Sequence, residues 1–307
     1  MSSPREDPAP GPSGEHLVAD TFGPDEDSAV GVQERDRLDI SHHLMLLTLD
    51  SKLALCPKNE TAKRVLDLGT GTGIWAIDYA SQLTSFEADA HPEAQVIGVD
   101  LSPIQPNFVP PNCQFEVDDV EKEWTWSNKF DFIYARNTGG SFADHQGMIQ
   151  KCFDNLEPGG YLEMWDTGLP VTSDDGTLTE EHNLVKMCYM TVEAARNLGR
   201  PIDHTKKYKS MFEQAGFEDV HLQVFKWPSN QWPKDKKHKT LGLWNLANMD
   251  RGLEGLTLFL FTRGLGMSQD ECFAYAAGAR KELKNPRIHA YWPMHCCYGR
   301  KPSLDKV

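Results

Sequence analysis

The chain has 307 residues, a formal net charge of −14, 39% hydrophobic and 10% aromatic residues, enough for one large or two small globular domains. That acidity excludes an electrostatic footprint for direct nucleic-acid binding, and no apolar stretch, not even the one around Leu256 to Phe261, reaches membrane-spanning length. The seven cysteines include one adjacent pair, Cys296 and Cys297, and no C-x-x-C, which predicts free thiols in a reducing compartment, cytoplasmic or nuclear, and no metal site.

Residues 1–30 hold five prolines, seven acids and one arginine, too little apolar surface to offset ordering entropy. They read as a disordered acidic tail and not as a secretory signal. From Glu34 a helical pattern begins, with Ile40, Leu44 and Leu47 on one face and Leu46, Leu49 and Leu53 beside it, until Pro57 stops it. Residues 31–58 are therefore expected to form an N-terminal helical lid, and residues 59–302 the main domain.

That domain opens on Val65-Leu66-Asp67-Leu68-Gly69-Thr70-Gly71-Thr72-Gly73. The apolar run predicts a buried parallel strand, and the alternating glycines a turn whose backbone can touch a ligand. Residues 74–82 have helical composition. A second run, Val96-Ile97-Gly98-Val99-Asp100, puts an acid at another strand's carboxyl end, where open α/β sheets bind ligands. A carboxylate there suits the two hydroxyls of a ribose, so the chain is expected to bind an adenosine-bearing cofactor.

Further strands are expected at 113–117, 130–135 and 160–165, with Ile149, Cys152, Phe153 and Leu156 on a helix before the last of them. Beyond Asp166, Thr177 with Glu180 reads as a capping box opening a helix whose inner face is Leu184, Cys188, Val192 and Ala195. A helix at 208–215 ends at Gly216, and 220–225 alternates like a strand. Ser268 with Glu271 opens a helix running to about Leu283, and 288–298 closes the sheet. Residues 227–286 would then be a helical insertion, placed to act as a substrate cap, with 303–307 a short tail. The expected class is α/β: a seven-stranded, mostly parallel, Rossmann-like sheet with helices on both faces.

Spacing separates two cofactors. A dinucleotide fingerprint starting at Gly69 meets Ile74 at its sixth position and fails; starting at Gly71 it succeeds through Gly73 and Ala76, but two residues then separate it from the strand. A pyrophosphate also disfavours the carboxylate of Asp67 beside its helix N-terminus, whereas a cationic ligand is attracted by it. The D-x-G-x-G-x-G pattern instead resembles motif I of class I S-adenosylmethionine-dependent methyltransferases.

Other passages resemble one subgroup, the fungal LaeA-like methyltransferases of secondary metabolism. They are Arg37-Leu38-Asp39 with His42-His43, Val99-Asp100-Leu101-Ser102-Pro103-Ile104-Gln105-Pro106, Phe115-Glu116-Val117-Asp118-Asp119-Val120, Tyr134-Ala135-Arg136-Asn137, His289-Ala290-Tyr291-Trp292-Pro293, and Tyr298-Gly299-Arg300-Lys301-Pro302. The resemblance spans residues 32–302. One departure is Thr21-Phe22-Gly23-Pro24, where family members often carry a tyrosine-rich segment.

The resemblance implies S-adenosyl-L-methionine as donor, held by Asp67, Gly69, Thr70, Gly71, Gly73, Asp100 and Leu101. Asp118, Asp119 and Val120 would hold the adenine amino group, one of the two acids being a turn residue instead, and Arg136 and Asn137 would stand at the reaction centre. Asn137-Thr138-Gly139-Gly140 replaces the Asn-Pro-Pro-Tyr motif of amino-methylating enzymes, which disfavours that amide or adenine N-methylation chemistry; O-methylation is the expected reaction only because it is the commoner one. Where the acceptor must lose a proton, His145, Glu163 and His182 are the candidate bases by position, His145 first. Trp165, Trp244, Tyr291 and Trp292 are candidates for an aromatic acceptor pocket, and the run from Lys234 to Lys239 reads as a solvated helix start. The expected function is methylation of a small-molecule natural-product intermediate. The alternative is a LaeA-like regulator that acts through protein partners and keeps the cofactor site.

Overall fold

The computed structural model describes residues 29–81 and 94–303. All but the last two residues of the expected acidic tail, the Thr21 to Pro24 passage and residues 304–307 lie outside them. Helix α1 (Ala29–Thr48) precedes β1 (Arg64–Leu68), α2 (Ile74–Ala80), β2 (Gln95–Asp100), β3 (Cys113–Val117), β4 (Phe130–Arg136), α3 (His145–Asn155) and β5 (Leu156–Thr167). Then come α4 (Asn183–Asn197), α5 (Tyr208–Ala215), β6 (Glu218–Pro228), α6 (Lys236–Leu265), α7 (Gln269–Leu283) and β7 (Tyr291–Arg300).

The strands form one seven-stranded sheet in the order β3-β2-β1-β4-β5-β7-β6. β1 to β5 are mutually parallel, and β7 runs antiparallel between β5 and β6. The apolar run of β1 is central for the expected reason: Val65, Leu66 and Leu68 are completely buried because helices cover both faces. Edge strand β6 instead alternates, with Val224 half exposed. Alternate residues feed two cores. Val65, Tyr134, Trp165 and Cys296 pack under α1 and α2, while Leu66, Ala135, Met164 and Cys297 pack under α3 and α5.

The chain between β6 and β7 folds as α6 and α7, which pack on α4 around Leu184, Cys188, Leu253, Phe261 and Cys272. Asp235 caps α6 by accepting the His238 N–H at 2.9 Å, which makes the lysine-rich run a solvated helix start. The Ser268–Glu271 capping box is formed on α7. The box expected at Thr177 and Glu180 is not, and α4 begins only at Asn183. The Thr177 hydroxyl is engaged elsewhere: it donates to Asp175 at 2.8 Å and accepts the His289 N–H at 2.9 Å, fastening the approach to β7.

Candidate functional site

In the strand order β2-β1-β4, Asp100, Asp67 and Arg136 lie side by side along the carboxyl edge of the sheet. They line a cavity of about 310 Å³ together with Gly69, Thr70, Gly71 and Asn137. The Gly69–Gly73 turn forms one wall because three of its residues hold φ of +66°, +59° and +78°, a region that costs a residue with a Cβ about 1–2 kcal/mol. Gly73 has a second requirement: a Cβ there would fall 2.2 Å from the ring of Phe115 on β3. Its role is close packing of the turn against the sheet.

The Asp100 carboxylate is already oriented. One oxygen accepts the Gly71 N–H at 2.9 Å, the other the Ser102 N–H at 3.0 Å, and each keeps a lone pair for a further donor. Gln105 ties the same two loops by donating to the carbonyls of Gly71 (2.6 Å) and Ser102 (2.9 Å). Asp67 is buried and accepts the Thr70 hydroxyl at 2.6 Å. Burial pushes its pKa up to about 7, against the pull of that hydrogen bond and of the Arg136 charge.

Helix α1 roofs this edge. Its Asp39 accepts the Thr72 hydroxyl at 3.0 Å, Ser41 accepts the Asn137 side-chain amide at 2.9 Å, and His42 receives Arg136 at 3.1 Å. Burial lowers the His42 pKa, so the ring is neutral near pH 7. Its Nδ1 then accepts from Arg136 while Nε2–H donates to Asp78 at 2.9 Å. Asn137 takes a left-handed φ of +56° at the end of β4 and donates its N–H to Trp165 at 2.8 Å. Glu34, Arg35, Arg37 and Leu38 complete the roof. Their signal in the sequence is the spacing 35, 38, 39, 42, one face of a helix aimed at the sheet edge.

Of the expected cofactor residues, Asp67, Gly69, Thr70, Gly71, Asp100, Arg136 and Asn137 line the cavity. Gly73, Leu101, Asp118, Asp119 and Val120 are not part of its lining, with Leu101 and Asp118 exposed. Both carboxylates of the pair accept local N–H groups, Asp118 that of Asp119 at 2.7 Å and Asp119 that of Glu121 at 3.0 Å.

The expected bases fall elsewhere. Glu163 is wholly buried, accepting the Leu55 and Cys56 N–H groups at 2.8 and 2.7 Å and the Trp165 indole N–H at 2.6 Å. It pins the segment after α1 to the sheet and does not line the cavity beneath α1. His145 is buried at the start of α3, stacked on His204 with ring centroids 3.4 Å apart and its Nε2 enclosed without a partner. Burial, with the neighbouring His204, brings its pKa down to about 4. Beside that stack Asp166 accepts the Gly139 N–H at 2.8 Å and the Tyr208 hydroxyl, and so shapes the loop after β4. His182 closes the turn before α4, where its Nδ1 accepts the Thr179 N–H at 3.0 Å.

No aromatic acceptor pocket forms from the four expected rings. Trp165 stacks on Phe225 inside the core, Trp292 packs under α4 and α7, the Tyr291 hydroxyl donates to Asp174, and Trp244 meets His43 at the α1–α6 contact. All seven cysteines are free and buried. No helix among the described residues is long and apolar enough to cross a membrane.

A methyltransferase-domain family model matches residues 41–222. The chain is 36% identical over 270 residues to the probable methyltransferase tdiE of Emericella nidulans, covering 88% of this chain and 82% of that one. It is 37% identical over 271 residues to the methyltransferase pytC of Aspergillus terreus, covering 88% and 81%. To the secondary metabolism regulator LAE1 of Cochliobolus heterostrophus it is 34% identical over 277 residues, covering 88% of each.

Proposed function

The chain belongs to the methyltransferase domain family and its LaeA-like group, and we propose that it uses S-adenosyl-L-methionine to methylate a small-molecule intermediate of fungal secondary metabolism. One observation carries this reading: an acid and a base, Asp67 and Arg136, stand on adjacent strands, with a hydroxyl-accepting Asp100 on the next strand over. The zwitterionic head and the ribose of that cofactor need this charge order. Asp67 suits the ammonium, Arg136 the carboxylate, and the free lone pairs of Asp100 the two ribose hydroxyls. The glycine turn lets backbone approach between them.

The cofactor supplies a methyl group on a sulfonium, transferred by in-line displacement. Much of the protein's contribution is then positioning. Arg136 is fixed for it by His42, and Asn137 by Ser41, so α1 holds this end of the cavity in place. A hydroxyl acceptor must also lose a proton. His145 is neutral near pH 7 but enclosed behind the Thr138–Ser141 loop, and the Glu163 carboxylate is occupied by three N–H donors. Neither side chain lines the cavity.

Calorimetric titration with S-adenosylmethionine, S-adenosylhomocysteine and NADH tests the reading. Micromolar binding of the first two, absent for NADH and lost in Asp100→Ala, is the expected outcome. No binding to folded wild-type protein would overturn it. A second reading follows from the similarity to LAE1: a regulator acting through protein partners with the cofactor site retained. Stable association with transcriptional proteins in a nuclear pull-down, with no small-molecule acceptor methylated, would favour that reading.

A further inference from the structure

A second cavity of about 500 Å³ adjoins the first and shares Arg35, Thr72, Ile74 and Ile104 with it. Ile74, Ile77, Pro103, Ile104 and Pro106 give it apolar walls. Together the two spaces fall in the size range of small-molecule sites, about 300–1,000 Å³.

The charges around them are almost all matched. Arg37 is held by both carboxylate oxygens of Glu34, at 2.6 and 2.8 Å. Arg136 has His42, with the Asp67 charge near it. Asp39, on the same wall as Arg35, accepts the Thr72 hydroxyl. Arg35 is the exception. Among the described residues no acceptor or carboxylate meets its guanidinium, and its Nε is enclosed without a hydrogen bond. A partly buried guanidinium with an unmet donor is costly unless a ligand completes it.

We propose that Arg35 is the specificity residue for the methyl acceptor, and that the acceptor is an apolar molecule carrying a carboxylate or comparable oxyanion. This rests on the preceding reading, in which Asp67, Arg136 and Asp100 already answer the ammonium, carboxylate and ribose diol of the cofactor, leaving Arg35 unassigned. The guanidinium fork would bind the anion in two parallel hydrogen bonds while the isoleucine and proline walls cover the apolar body.

The test uses 2-naphthoate and its neutral counterpart 2-naphthamide as probes, titrated into the full chain with and without saturating S-adenosylhomocysteine. Naphthoate is expected to bind at least about fivefold tighter than the amide. Arg35→Gln should abolish that preference, Arg35→Lys should recover part of it, and both should keep S-adenosylhomocysteine affinity within about twofold of wild type. Equal binding of the two probes by wild type, or no binding of naphthoate, would overturn the proposal. So would a tenfold loss of S-adenosylhomocysteine affinity in Arg35→Gln, which would give Arg35 to the cofactor's carboxylate. If S-adenosylhomocysteine fails to bind wild-type protein, the cofactor reading falls, and the titration without it still decides the anion preference.

Discussion

Asp67 makes the cofactor reading testable without an acceptor. Its carboxyl is pushed up to about 7 by burial, against about 3.9 in an unfolded chain. The folded state therefore keeps a proton that the unfolded state releases. Stability is unaffected below about pH 4, falls by about 1.4 kcal/mol per pH unit above it, and is about 4 kcal/mol lower once pH exceeds 7. Asp67→Asn keeps an oxygen for the Thr70 hydroxyl and removes the ionisation. Urea unfolding of both proteins at pH 5, 6, 7 and 8 should show the variant gaining on wild type up to pH 7 and levelling beyond it. Titrating groups that do not interact with Asp67 cancel in that difference. A difference that stays flat across the range would refute the argument from burial. An ammonium placed beside Asp67 restores its carboxylate, so S-adenosylhomocysteine binding at pH 6.5 should release a proton from wild type and none from the variant. Calorimetric enthalpies that do not depend on the buffer's ionisation heat would separate Asp67 from the ligand's ammonium.

Gly73→Ala should lose about 2–4 kcal/mol in urea unfolding, from left-handed strain and the clash with Phe115, and Phe115→Leu in the same chain should recover about half. Recovery of nothing would mean that strain alone acts. Glu163→Ala strips the acceptor from three buried N–H donors and should destabilise by about 3–5 kcal/mol. Folded at low temperature, it should bind S-adenosylhomocysteine as wild type does; a selective loss of binding would return Glu163 to the site. Ser268→Ala breaks the α7 capping box and should cost about 1 kcal/mol by thermal or urea unfolding, with ligand affinity unchanged.

The parts of the site that the sequence discloses are those where local backbone chemistry sets the position. Asp67, Gly69, Gly71 and Asp100 are tied to the ends of apolar runs, and a strand end in an open α/β sheet is a defined place. The capping boxes divide on the same ground. Ser268 and Glu271 have no competing partner, whereas Thr177 is taken by the His289 N–H, 112 residues away in sequence. The aromatic residues failed as a pocket because ring content carries no direction. Trp165 and Trp292 point into different cores although both lie on adjacent parts of one sheet.

The two acids of β5 make the remaining limit concrete. Glu163 and Asp166 are three residues apart, and in a strand an odd separation sends side chains to opposite faces. That parity is readable. What each face meets is not, because it depends on which helices land there. Glu163 meets the segment following α1 and becomes a buried anchor for two backbone N–H groups, while Asp166 meets Gly139 and Tyr208 and shapes the loop bordering the cavity. Glu163 is thus a buried carboxylate on the expected strand whose oxygens are engaged by N–H donors. The roof follows the same logic. Arg35, Asp39 and His42 share a helical face in the sequence, yet only the packing of α1 over the sheet edge turns that face into two latches and a guanidinium that no described residue pairs. An acceptor preference erased by Arg35→Gln, with Asp39 and His42 left in place, would show that such a face can be divided residue by residue between holding the fold and recognising the ligand.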